Sequence, residues 1–161
     1  GKGVMSEWKK PMKEISIGSG RRVSNGTDIA ILSIGHPGNF VQEAIEEIAK
    51  YGASAAHYDM RFVKPLDEVM LHEVFTKFDK VITVEDGCVM GGFGSAVIEF
   101  MADQKYKAEI VRMGIPDHYI HHGTQKELWA ECGFDCKGIV DELKQMLSLS
   151  KQSRKLKKNI S

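Results

Sequence analysis

The sequence predicts one α/β domain, a parallel sheet with helices on both faces. Three observations carry this reading. Ile29-Ala-Ile-Leu-Ser-Ile34 is a near-continuous apolar run, the pattern of a strand buried on both sides. Strand-like segments alternate with segments of helical period, which implies right-handed crossovers between parallel strands. The chain has 161 residues, which suits a single domain able to bury roughly 70% of its unfolded surface.

The elements follow in order. Residues 1–14, with Lys2, Lys9, Lys10, Pro11 and Lys13, have no sustained apolar period and read as a linker from an upstream domain. Ile15-Ser-Ile17 is a short strand candidate, and Gly18, Gly20, Asn25 and Gly26 are turn residues. After the 29–34 strand comes Gly35-His36-Pro37-Gly38-Asn39. A helix then presents Phe40, Val41, Ala44, Ile45, Ile48 and Ala49 on one side, with Asn39 and Gln42 as a capping box and Gly52 as the stop. Ala55 to Met60 is a strand. Asp67 is an N-cap for a helix with Leu71, Val74, Phe75 and Phe78 at i, i+3, i+4, i+7.

Val81–Val84 is the next strand, and Gly91-Gly92-Phe93-Gly94 opens an apolar helix through Val97, Ile98, Phe100 and Met101. Ile110-Val111 centres the last strand. Thr124 and Glu127 form a capping box for a helix that Gly133 ends, and a final helix carries Ile139, Val140, Leu143, Met146 and Leu147. The folded domain is therefore expected over 15–149. Residues 150–161 form a basic tail, read as a solvated end against the alternative of an RNA- or membrane-seeking arm.

Composition narrows the function classes. Apolar residues are 42%, charged residues 27%, and the formal net charge is zero, so nothing electrostatic calls for a nucleic acid or an anionic membrane as partner. Cys88, Cys132 and Cys136 are odd in number and unevenly spaced, which favours a reducing cytoplasm over a disulfide framework. No apolar run approaches the ~20 residues of a membrane span, and the polar start shows no signal peptide. The Gly-Lys-Gly beginning is expected of a piece of a longer chain.

Three segments carry a resemblance. They are Asp59-Met-Arg-Phe-Val-Lys-Pro-Leu-Asp67; Val81-Ile-Thr-Val-Glu-Asp-Gly-Cys-Val-Met-Gly-Gly-Phe-Gly-Ser95; and Gly114-Ile-Pro-Asp117 followed by His122-Gly-Thr-Gln125. In this order they resemble the C-terminal domain of the 1-deoxy-D-xylulose-5-phosphate synthase family, within the wider transketolase group, over roughly residues 27–145. The resemblance implies a three-layer α/β/α domain of the transketolase C-terminal type. Its five-stranded sheet is mixed but mostly parallel, with the first strand antiparallel. It also implies a homodimeric parent enzyme that condenses pyruvate with glyceraldehyde 3-phosphate, losing CO₂, with thiamine diphosphate and Mg²⁺ as cofactors. Isoprenoid, thiamine and pyridoxal synthesis draw on that product.

Within the family the metal loop reads Gly-Asp-Gly, with an Asn some distance downstream. Here the nearest string is Glu85-Asp86-Gly87, and no Asn follows until Asn159. The expectation is that this chain holds no catalytic, cofactor-binding or metal-binding residue. It would support the upstream catalytic domains and the dimer. A protein-docking module and a small-anion regulatory module are the alternatives.

The remaining candidates lie at the carboxyl ends of the strands, where open α/β sheets bind ligands. The helix starts at Asn39 and Gly94, with Arg61 or Lys64, offer an anion site; otherwise Gly91, Gly92 and Gly94 serve tight strand-to-helix packing. Asp59, Arg61, Lys64 and Asp67 alternate in sign, as a salt-bridged corner before Pro65 or as a contact with a neighbouring domain. Glu85 at a strand end is a base only if partners accompany it, and none is evident. His36 reads as a loop histidine bonded to backbone, and Trp129 as a residue packed on the sheet. His118, His121, His122, Cys132 and Cys136 do not match a zinc-finger spacing.

Overall fold

The structure, a computed structural model, describes residues 14–148, so most of the expected linker and the basic tail lie outside the described residues. The chain runs β1 (Arg21–Ser24), β2 (Ile29–Ile34), α1 (Gly38–Ala49), β3 (Ala55–Asp59), α2 (Glu68–Lys77), β4 (Lys80–Cys88), α3 (Phe93–Asp103), β5 (Glu109–Ile115), α4 (Gln125–Glu131) and α5 (Cys136–Met146). The sheet order is β1-β3-β2-β4-β5. β1 pairs antiparallel with β3, and the other pairings are parallel. This is the five-stranded mixed sheet expected, with its antiparallel strand at the edge.

Alternation along the strands builds two cores. Ile29, Ile31, Ile82 and Val84 face α1 and α5, whose Val41, Ala44, Ile139 and Leu143 are fully buried. Ala30, Leu32 and Val81 face α2 and α3, meeting Leu71, Val74, Phe93 and Val97. Because β2 and β4 are buried on both sides, they read as apolar runs in the sequence. Ser33 lies opposite Asp59, and Ile34 opposite Glu85, so β2 and β3 finish nearly level while β4 runs on three residues past them, from Glu85 to Cys88.

Two local expectations are corrected. Residues 15–17 are not a strand: Ile17 is 79% exposed, and the Ser19 N–H donates to the Ser16 carbonyl in a turn where Gly18 has φ +78°. The first strand is instead Arg21–Ser24, a half-exposed edge with little apolar signal. Asn39 does not cap α1. The helix starts after Pro37 without a side-chain cap, and the Gly38 and Asn39 N–H groups donate to the Gly35 and His36 carbonyls. The caps at Asp67 and at Thr124–Glu127 form as expected.

Candidate functional site

Glu85 is the organising residue in the last part of β4, where the pairing with β5 becomes irregular. Its side chain enters the sheet face covered by α3, and the residue is only 5% exposed. Oε2 accepts the Phe93 N–H and Oε1 the Gly94 N–H, each at 2.8 Å. A carboxylate is thus supplied from within to the positive end of α3, and it satisfies two of the N–H groups that a helix start leaves unpaired.

The glycines make this geometry fit. A Cβ on Gly92 would lie 2.2 Å from Glu85 Oε2 and from the Cys88 carbonyl, and one on Gly94 would lie 2.5 Å from Thr83 Oγ1. Gly91, at φ +73°, has open space around it and serves the turn. Arg112 closes the loop from β5, donating to the Val89 carbonyl at 2.6 Å and to Ser95 Oγ at 2.8 Å. Two of the N–H groups weighed as an anion cradle are therefore engaged by Glu85.

The charges between Asp59 and Asp67 divide into separate tasks. Asp59 accepts from Arg21 Nε at 3.0 Å across the β1–β3 pair, with Arg61 Nε 4.0 Å away. Arg61 sits at φ +59°, in the left-handed region. Asp67 caps α2 through the Met70 N–H at 2.9 Å and also takes the Gly20 N–H at 2.8 Å, fastening the entry segment to the helix. Lys64 is exposed beside Pro65. The structure does not unite the four in one corner.

His36 occupies a different setting from the one expected. It stacks on Trp129 with ring centroids 4.4 Å apart and 29° between planes, and its edge meets Phe40 at 4.9 Å. Its Nδ1 lies 3.8 Å from Asp86 Oδ2. Trp129 also meets Phe40 at 5.0 Å and lines two clefts, one toward Asp86 and Ile115, the other toward Glu43 and Lys126. Asn39 is exposed and outside this cluster.

Sequence reading missed one buried polar pair. Ser33 Oγ and His57 Nε2 are 2.7 Å apart beneath the start of α1, and His57 is 1% exposed. Burial lowers the His57 pKa to about 4; Asp59 pulls it upward and Arg21 downward, in lesser measure. The available signal was a histidine in step with the buried positions of the strand at 55–60.

Neither a metal nor a diphosphate loop fits these residues. Glu85, first in the Glu85-Asp86-Gly87 string, spends both oxygens on α3, and no group of three or more His, Cys, Asp or Glu among the described residues is arranged to hold a metal ion. Burial raises the Cys132 and Cys136 thiols above their ordinary pKa, away from the thiolate a metal requires. No helix among the described residues is long and apolar enough to cross a membrane.

The model of the family "Transketolase, C-terminal domain" matches residues 18–139. The chain is 60% identical, over 91% of its length, to a 1-deoxy-D-xylulose-5-phosphate synthase of Cytophaga hutchinsonii and 50% identical to one of Porphyromonas gingivalis. It spans 23% of the length of each of those relatives. A solved structure described as "Split gene transketolase, inactive beta4 tetramer" superposes with a TM-score of 0.80 at 28% identity, covering 89% of this chain and 47% of that one. A transketolase from Campylobacter jejuni shares the fold at a TM-score of 0.59 and 17% identity, covering 84% of this chain and 20% of its own.

Proposed function

Since the chain belongs to the transketolase C-terminal domain family, we propose that it is the C-terminal domain of a 1-deoxy-D-xylulose-5-phosphate synthase, contributing support and dimer contacts rather than reacting groups. The parent would act in the cytoplasm, joining pyruvate to glyceraldehyde 3-phosphate with loss of CO₂. Thiamine diphosphate would supply the carbanion chemistry there, held with Mg²⁺ by upstream domains. The 60% identity to the Cytophaga hutchinsonii synthase carries the assignment.

The internal use of Glu85 supports a non-catalytic role. The carboxylate nearest in sequence to a metal loop stabilises a helix start, and the glycines beside it are matched to that carboxylate. The same observation speaks against an anion module at α3.

Two measurements test the proposal. Calorimetric titration of this chain with thiamine diphosphate and Mg²⁺ is expected to show no saturable heat. A parent synthase truncated before this domain is expected to lose both turnover and its dimeric mass in light scattering. Micromolar coenzyme binding by the isolated chain, or a fully active dimeric truncate, would overturn it.

A further inference from the structure

The crevice between β2 and β4 is the topological switch point of the sheet. α1 leads from β2 to β3 over one face, and α3 leads from β4 to β5 over the other. Ligands of open α/β sheets bind beyond the strand ends at such a point. His36 and Asp86 stand on its two sides, 3.8 Å apart. Beside Asp86 opens a cleft of about 240 Å³, walled by Ile115, Leu128, Trp129 and Phe134, with Asp86 and Gln125 among its polar lining.

We propose that this cleft binds a small organic cation, one flat apolar ring with a short ammonium-bearing arm. The ring would lie against Trp129 and the arm would reach Asp86.

Size, charge and preorganisation each favour this ligand class. The cleft is a little smaller than the ~300–1,000 Å³ of drug-sized pockets, so it suits a single ring and not a dinucleotide. Asp86 is the one carboxylate in the lining; its side chain is 41% exposed, with His36 Nδ1 3.8 Å from Oδ2 as a loose neighbour that leaves it accessible from the cleft. Apolar walls lower the local dielectric, so an opposite charge there gains more than in bulk water and a like charge loses more. Trp129, held by His36 and Phe40, needs no reordering to receive a ring, and aromatic pairs gain beyond the area they bury.

The test uses the 161-residue chain with Trp8→Phe, which leaves Trp129 as its one tryptophan. Phenethylamine, 3-phenylpropionate and benzyl alcohol are titrated against Trp129 fluorescence and the amide signals of Asp86 and Leu128. The amine is expected to bind saturably in the roughly millimolar range suited to so few atoms. It should bind about tenfold tighter than the acid, with the alcohol between. Asp86→Asn is expected to remove the preference for amine over alcohol without moving the thermal midpoint. If that variant does shift the midpoint, Asp86→Ser is read in the same way. No saturation by the amine, equal binding of the acid, or an amine preference that survives both variants would overturn the proposal.

Discussion

Gly94 donates its backbone N–H to Oε1 of Glu85 across 2.8 Å, so a buried carboxylate from β4 terminates α3 in the way a capping side chain usually does from within the loop. Phe93 gives the second bond, to Oε2. Hydrogen bonds to a charged group contribute about 1.5–3 kcal/mol, and stranding buried N–H groups adds a further cost. Glu85→Ala is therefore expected to destabilise the chain by about 3 kcal/mol. Glu85→Gln, which keeps one acceptor and turns a donor toward the other N–H, should cost about half that. The urea midpoint measures both, and an unshifted midpoint for the alanine variant would show that the carboxylate is not what holds the helix start.

Neighbouring glycines separate packing from turn geometry. A methyl on Gly92 or Gly94 meets the Glu85 carboxylate or Thr83 within 2.5 Å, and neither neighbour can retreat inside the sheet-to-helix contact. Gly92→Ala and Gly94→Ala are expected to lose about 3 kcal/mol each by overpacking. Gly91→Ala meets no atom and carries only the left-handed penalty of about 1–2 kcal/mol. Thermal midpoints of the three variants check the ranking. A Gly91 variant as unstable as the other two would mean that the turn, not the close approach, is the constraint.

What could be read from the sequence follows from how local each signal is. β2 and the buried part of β4 declare themselves as apolar runs, and the caps at Asp67 and Thr124–Glu127 involve residues three apart on one turn. The edge strand carries too weak a pattern to be placed from sequence. Arg21 and Arg22 face solvent, while the more apolar Ile15 and Ile17 lie exposed in the entry segment. In the sequence Glu85 and the glycines read as separate features; their union depends on α3 starting directly over the Glu85 side chain. The His36–Trp129 stack joins the β2–α1 loop to α4, a contact that no period or spacing encodes.

Asp67 does more than an ordinary cap, and two variants can measure the difference. Its Oδ1 accepts the Met70 N–H and its Oδ2 the Gly20 N–H, whereas Asp135 caps α5 through the Gly138 N–H. Loss of a cap costs about 1 kcal/mol. Asp135→Ala should cost that much. Asp67→Ala should cost about 2 kcal/mol and speed hydrogen exchange at Gly20, since the entry segment loses its fastening. Equal costs with unchanged exchange at Gly20 would show that the second bond adds nothing.

The burial of His57 makes the stability of the fold depend on pH on the acid side. Its pKa falls from an ordinary 6.5 to about 4 because burial penalises the imidazolium. The unfolded chain therefore binds a proton at a pH where the folded chain does not, and stability falls as pH drops from about 6.5 toward 4. The full effect is of order 3 kcal/mol, reached below pH 4. Above pH 7 this contribution to the pH slope vanishes. His57→Gln keeps a polar partner for Ser33 without the titration, so it should be the less stable protein at pH 7.5, with the gap narrowing steadily toward pH 4.5. Urea midpoints of the two proteins across that interval decide the matter. A gap that stays constant with pH would show that His57 titrates alike in the folded and unfolded chain.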